Sequence, residues 1–219
     1  MKNRKGTLIC FTGIDGSGKT TQAQALAETM KERGIMSQYV WVKFTPRVTE
    51  YMMRILKRLL FRKKDEFTDY SGYLDTRRRL FKNRLLFTFY HCLMLVDYYL
   101  QILLKIRVPL MQGKVVVCDR YIYDTVADIA YDSDYSPEKI KKTLKLYLRL
   151  FPKPDVVFLI DLPEEIAYQR KNDIPSLYYL SERRKIYLNM SKEHDMIILD
   201  GTEGELELES VIQSKVAMT

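Results

Sequence analysis

Leu8-Ile9-Cys10-Phe11-Thr12-Gly13-Ile14-Asp15-Gly16-Ser17-Gly18-Lys19-Thr20 is the stretch that decides the fold. Its opening residues form a short apolar run suited to a buried strand. Its last eight residues match G-x-x-x-x-G-K-[ST] at every fixed position, the Walker A pattern. Downstream, Ala23, Leu26, Ala27 and Met30 recur at i, i+3, i+4 and i+7, and Gly34 is placed to stop a helix. Strand, glycine loop and helix in this order make an anion cradle. The glycines Gly13, Gly16 and Gly18 let the backbone curl so that N–H groups of Asp15, Ser17 and their neighbours converge on phosphate oxygens. The following helix, opening at Lys19, Thr20 and Thr21, adds the positive end of its dipole. Such a loop holds ATP, with the Lys19 ammonium reaching the β and γ phosphates and the Thr20 hydroxyl ligating Mg²⁺ between them.

Outward from the loop, short β-branched runs alternate with helical patterns. Thr7 to Thr12, Gln38 to Phe44, Lys114 to Cys118, Val156 to Asp161 and Met196 to Leu199 read as five strands. Strands this apolar, separated by helices, imply a doubly wound five-stranded parallel sheet flanked by helices, an α/β fold of the P-loop NTPase type. Ser136-Pro137 reads as an N-cap with proline at the first helical position. Pro163-Glu164-Glu165 opens another helix with acid at its positive end, and Thr202-x-x-Glu205 fits a capping box for the last one. Residues 48–110 are the exception, being basic, aromatic and without a strand candidate. They read as a helical insertion of two or three helices within one domain spanning 1–219, with Asp65 to Asp75 as a loop.

A chain of 219 residues is long enough for one domain with a full core. The 47% hydrophobic and 29% charged fractions suit a folded chain and argue against disorder. Cys10, Cys92 and Cys118 are too few and too scattered for a disulfide framework, which implies reduced, cytoplasmic residues. The greasiest stretch, Leu85 to Val96, falls short of the roughly twenty residues a membrane span needs. The net charge of +8 is local: Lys43 to Arg84 holds thirteen Lys or Arg against five Asp or Glu. Such a segment attracts nucleic acid, anionic lipid or a phosphorylated small molecule. No nucleic-acid motif accompanies it, so a small nucleotide is the preferred partner. His91 and His194 lack partners at ligand spacing, and Tyr98, Tyr99, Tyr121 and Tyr147 sit in patterns that read as core.

A second anchor stands at Asp119-Arg120-Tyr121, directly after the apolar Val115 to Cys118. In a doubly wound sheet that is the edge where ligands sit. A carboxylate there suits Mg²⁺ and its water, and the arginine suits phosphate.

Together these residues resemble the thymidylate kinase family of P-loop nucleoside monophosphate kinases. The resemblance is carried by Phe11-x-Gly13-Ile14-Asp15-Gly16-x-Gly18-Lys19-Thr20-Thr21-Gln22, by Gly113 to Tyr121, and by Pro154-Asp155 to Arg170. It implies a kinase that moves the γ-phosphoryl group of ATP to thymidine monophosphate. Asp15 would then accept a hydrogen bond from the acceptor sugar's 3′ hydroxyl. Arg120 would hold the acceptor phosphate, and Lys43 and Arg47 fall where the family places a phosphate-binding cation. Gly16 stands where some members carry a loop arginine, so Arg170, at the start of a lid over about 170–184, is the expected cation for the transferring group. Arg183 and Arg184 follow on the next helix. Family members are commonly dimers.

The chain also departs from the family pattern. Where the family shows Ser-x-x-Ala-Tyr-Gln, this sequence has Asp124-Thr125-Val126-Ala127-Asp128-Ile129, which puts two acids in the acceptor pocket. At the base-reading register stand Asp97, Tyr98 and Tyr99, with Phe87 and His91 as substitutes if that helix is longer. Asp124 and Asp128 leave room for a nucleoside or another metabolite as acceptor, since an alcohol needs a general base whereas a phosphate needs cations. A non-catalytic ATP-binding module with a basic flank is the third reading.

Overall fold

A computed structural model describes residues 6–42, 96–171 and 173–217. The chain divides into two compact units, Met1–Lys43 with Leu103–Thr219, and Phe44–Ile102. Of the second unit only 96–102 are described, and they are helical. The whole basic segment Lys43 to Arg84, including the Asp65 to Asp75 stretch read as a loop, and Cys92 lie outside the described residues.

The first unit is built on β1 (Thr7–Thr12), α1 (Lys19–Glu32), β2 (Ser37–Trp41), α2 (Val108–Met111), β3 (Val115–Asp119) and α3 (Ile122–Asp132). It continues through α4 (Pro137–Leu150), β4 (Val156–Asp161), α5 (Glu164–Arg170), α6 (Leu177–Glu193), β5 (Ile197–Asp200) and α7 (Glu205–Ala217). All five expected strands form, with ends shifted by a few residues at most. They make one fully parallel sheet in the order β2-β3-β1-β4-β5. The chain runs from β1 outward to β2, returns to β3, and then crosses to the far side of β1. The carboxyl ends of β1 and β3 therefore lie side by side at the reversal, where doubly wound sheets take ligands.

Strand alternation explains the two layers. Ile9 and Phe11 face one side, joining Leu26, Ala27 and Met30 of α1 and Leu208 and Ile212 of α7 in a core where Phe11 stacks on Phe158 at 5.1 Å. Leu8, Cys10 and Thr12 take the opposite side, where Thr12 bonds Asp124 of α3. Cys10 and Cys118 are free and buried, paired across β1 and β3. Tyr98, Tyr121 and Tyr147 are buried as read, but Tyr99 is 40% exposed and is not core. No helix among the described residues is long and apolar enough to cross a membrane.

Helix ends follow their chemistry with one correction. Ser136 caps α4, its hydroxyl accepting from Lys139 N, with Pro137 at the first position. The box expected at Thr202 and Glu205 does not form. Thr202 instead donates through its backbone N–H and hydroxyl to Asp200 Oδ1, at 2.9 and 2.6 Å. The cap lies two residues later, where Glu207 accepts from Gly204 N at 3.2 Å. An aspartate two residues before Thr202 offers the closer local partner, and this wins over the helix.

Arg184 joins α6 to the carboxyl end of β4. Its guanidinium grips both Asp161 oxygens at 2.7 and 2.9 Å and Glu164 of α5 at 2.8 Å. A planar fork meeting a carboxylate pairwise fixes both distance and orientation. Arg184→Met should cost about 2 kcal/mol, because two partly buried carboxylates lose charged hydrogen bonds. Thermal denaturation followed by circular dichroism should show the melting temperature falling by roughly 4–8 °C.

Candidate functional site

The Gly13–Thr20 loop leaves β1 and enters α1 as the sequence implies. Gly13 has φ 139°, and a Cβ there would lie 2.5 Å from the Ile160 carbonyl oxygen. Gly16 has φ 86°, and its Cβ would lie 2.7 Å from the Ala167 carbonyl. Side chains are excluded at both positions by backbone on β4 and α5, which therefore shape the loop. Gly18 takes the N-cap of α1 with no side-chain cap, and the first turn carries no acid. The N–H groups of that turn are thus left to a ligand, which suits an anion.

Lys19 is 4% exposed, and its Nζ donates to Ile14 O at 2.5 Å and to Ser17 Oγ at 3.4 Å. Burial, and then the charge of Arg120, bring its ammonium down to about 8, although Asp124, Asp15 and Asp119 pull the other way. Thr20 and Thr21 open α1 and are exposed. The Thr20 hydroxyl donates to Asp119 Oδ2 at 2.6 Å, and Tyr39 of β2 donates to the same oxygen at 3.0 Å. Asp119 is fully buried, and its Oδ1 has no hydrogen-bond partner among the described residues. A hydroxyl beside a buried carboxylate with one unsatisfied oxygen is a donor set that fits Mg²⁺, which takes few protein oxygens and completes its shell with water and phosphate. No group of three or more His, Cys, Asp or Glu forms a self-sufficient metal cage among the described residues.

Arg120 ends β3 in the left-handed region, φ 66°, with its N–H on Phe11 O at 3.1 Å. A non-glycine residue held there costs backbone energy and is pinned by its surroundings. Its side chain pairs with Asp15 of the loop and lies 3.3 Å from Asp124 Oδ1. Burial opposes the Arg120 charge, but Asp124 and Asp15 more than offset it and raise its affinity for the proton. Burial likewise would raise the Asp15 carboxyl, yet the charges of Arg120, Lys19 and Arg183 hold it down to about 2.

The structure thus brings together Asp15, Lys19, Thr20, Asp119 and Arg120, and adds Asp124 behind them. Asp124 is 3% exposed and fully engaged, accepting from Thr12 Oγ1 at 2.9 Å, Tyr187 OH at 2.9 Å, Tyr121 N at 3.3 Å and Arg120. Asp128 pairs with Arg183. The two acids expected in an open pocket are instead matched by cations and hydroxyls. Arg183, noted in the sequence as a cation following Arg170 on the next helix, is only 2% exposed. Arg170 is exposed, with no ion pair among the described residues. Asp97 and Tyr98 are buried in the second unit, while Lys43, Arg47, Phe87 and His91 lie outside the described residues. Tyr39, Thr12 and Tyr187 escaped the sequence reading because only strand order and helix packing bring them to the aspartates.

A glycine loop on β1, a helix start without a cap and an aspartate on the neighbouring β3 define a P-loop nucleotide-binding α/β protein. Residues 11–212 match the family model described as thymidylate kinase, so the chain belongs to the thymidylate kinase family. The thymidylate kinase of Leptospira interrogans serogroup Icterohaemorrhagiae serovar copenhageni is 30% identical over 95% of this chain and 92% of its own length. That of Fervidobacterium nodosum is 29% identical over 89% and 90%. The probable thymidylate kinase 1 of Saccharolobus solfataricus is 29% identical over 92% of both chains.

Triphosphate binding needs Lys19 as an ammonium, and in the free protein that group loses its proton near pH 8. Calorimetric titration with Mg-ATP should show a constant Kd from about pH 6.5 to 7.5. Above pH 8 affinity should weaken, by up to about tenfold per unit, because binding must then restore the proton. Lys19→Arg, whose cation does not titrate there, should flatten whatever profile it retains.

Proposed function

We propose that this chain transfers the γ-phosphoryl group of ATP to the phosphate of thymidine monophosphate, releasing ADP and thymidine diphosphate, with Mg²⁺ as cofactor. The observation that carries the reading is the adjacency of two anion anchors. The loop after β1 and Arg120 after β3 are tied to each other through Asp15, so a donor held by one ends where an acceptor held by the other begins.

The roles follow from position and charge. Loop N–H groups and Lys19 bind the β and γ phosphates, and Thr20 with Asp119 would hold Mg²⁺. The metal supplies neutralisation of charge shared between those phosphates. Arg120 binds the acceptor phosphate and Asp15 accepts a hydrogen bond from the acceptor sugar. An oxygen of the acceptor phosphate attacks the γ phosphorus, the bond to the β–γ bridging oxygen breaks, and ADP leaves with that electron pair. The acceptor is already an anion at neutral pH, so the step needs cations and alignment rather than a base. That requirement disfavours an alcohol acceptor here, since Asp15, held at about 2, is a poor base and Asp124 has all its acceptor positions filled. Arg170, with its exposed guanidinium, supplies the cation for the transferring group from the lid, 170–184. Lys43 and Arg47 add positive charge on the acceptor side. The whole acts as one kinase domain whose acceptor side is the helical region 48–110, in a cytoplasmic dimer.

An ADP-release assay with Mg-ATP and a panel of nucleoside monophosphates, thymidine and sugar phosphates tests the reading. Thymidine monophosphate should exceed thymidine in kcat/KM by at least about 100-fold, the scale expected when a built anion site loses its anion. Turnover of thymidine in preference to its monophosphate contradicts it. Lys19→Ala should lower kcat by at least about 100-fold, a loss typical of removing one transition-state charge partner. Arg120→Ala should raise the acceptor KM far more than the ATP KM.

A further inference from the structure

We propose that α6 supplies positioning residues for the acceptor site: Tyr187, held by Arg183, orients Asp124, and Asp124 sets the direction of the Arg120 guanidinium. The inference rests on Arg120 being the acceptor-phosphate anchor proposed above.

The geometry begins with spacing. Asp124 and Asp128 are four residues apart on α3, and Arg183 and Tyr187 are four apart on α6, so each pair occupies one face of its helix. The two helices pack together, and the pairs meet: Arg183 on Asp128, Tyr187 on Asp124.

The bonding has a defined direction. A guanidinium has no acceptor, so in the 3.0 Å bond Arg183 Nη2 donates to the Tyr187 oxygen. The single Tyr187 proton is therefore free to go to Asp124 Oδ1, at 2.9 Å. Tyr187 is 1% exposed and Arg183 2%, so no water competes for these positions from outside. Arg183 is further held against the Tyr179 and Tyr187 rings, at 5.2 and 5.8 Å.

Asp124 is the junction. An ionised carboxylate offers about four acceptor positions, and Thr12, Tyr121 N, Tyr187 and Arg120 take them. No position remains for a ligand, so Asp124 reaches the acceptor only through Arg120. Burial works to raise its carboxyl, and the neighbouring cations and the Thr12 hydroxyl oppose this. Removing the Tyr187 donor leaves Asp124 Oδ1 held by Arg120 alone, so the carboxylate turns more freely and orients the guanidinium less well. Arg120 would then swing between Asp15 alone and the acceptor phosphate, with its second tether loosened. Asp119 and Lys19, which serve the donor, are not bonded to Tyr187 or Arg183, so the effect falls on one substrate.

The test is Tyr187→Phe, which keeps the ring and its packing and deletes one oxygen. The KM for thymidine monophosphate should rise about tenfold, the worth of one hydrogen bond to a charged group. The ATP KM and kcat should stay within about twofold, since neither depends on that tether. In an Arg120→Ala background the same substitution should add nothing to the acceptor KM, because the path runs through Arg120. An equal rise in both KM values, no rise, or a full additional loss on Arg120→Ala overturns the inference. Arg183→Lys, which keeps a charge beside Asp128 but loses the fork, carries the same test if Tyr187→Phe does not fold. Wild-type turnover decides the proposed function separately. Independently of any substrate, the Arg120 guanidinium NMR signal, assigned through Arg120→Lys, should shift in Tyr187→Phe, and an unmoved signal overturns the relay even in a protein that uses another acceptor.

Discussion

The 2.6 Å hydrogen bond from Thr20 Oγ1 to Asp119 Oδ2 ties the start of α1 to the end of β3, and the chemistry of the site depends on that tie. It exists because a parallel sheet places β3 beside β1, in the register Phe11 to Asp119, and because the glycine loop turns the chain back over the strand ends. Asp119 is buried with one oxygen unsatisfied among the described residues. Leaving such a carboxylate oxygen dry costs free energy, which a divalent cation can offset. Sheet topology and loop conformation are in this sense one constraint, and together they set a hydroxyl beside a carboxylate that fits a divalent cation.

Electrostatics divide the site by task. Asp15, Asp124 and Asp128 face Lys19, Arg120 and Arg183, a balanced set that allows several charges to be buried together. Within it the cations keep Asp15 ionised while burial weakens the hold of Lys19 on its proton. A carboxylate held this low cannot draw a proton from an alcohol, yet it remains a good hydrogen-bond acceptor. The arrangement suits an anionic acceptor, placed by arginine and oriented by a carboxylate.

Much of this was legible in the sequence, for reasons that differ by residue. The loop and its helix are local, so Gly13 to Thr20 and the Ala23 to Met30 stripe identified them directly. The three central strands were readable because each is apolar enough to be buried on both faces, and the half-exposed edge strands β2 and β5 because short apolar runs still mark them between helical patterns. Asp119 and Arg120 were found because a polar pair ending such a strand stands out. What escaped depends on distance along the chain. Asp128 meets its arginine 55 residues away and Asp124 its tyrosine 63 residues away, and no periodicity announces such partners. Asp124 therefore read as a pocket acid and Arg183 only as a further cation after the lid arginine. The misplaced cap at Thr202 was a different kind of miss, a contest between two local bonds in which Asp200 lay nearer.

The most direct measurement of the central claim is a competition titration with one molecule carrying adenosine and thymidine at the two ends of a five-phosphate chain. If the loop and Arg120 are facing anchors for donor and acceptor, one such molecule binds per chain and displaces both ATP and thymidine monophosphate. Binding that displaces only one of the two, or a stoichiometry of two per chain, would show that the anchors do not face one another and would contradict the account.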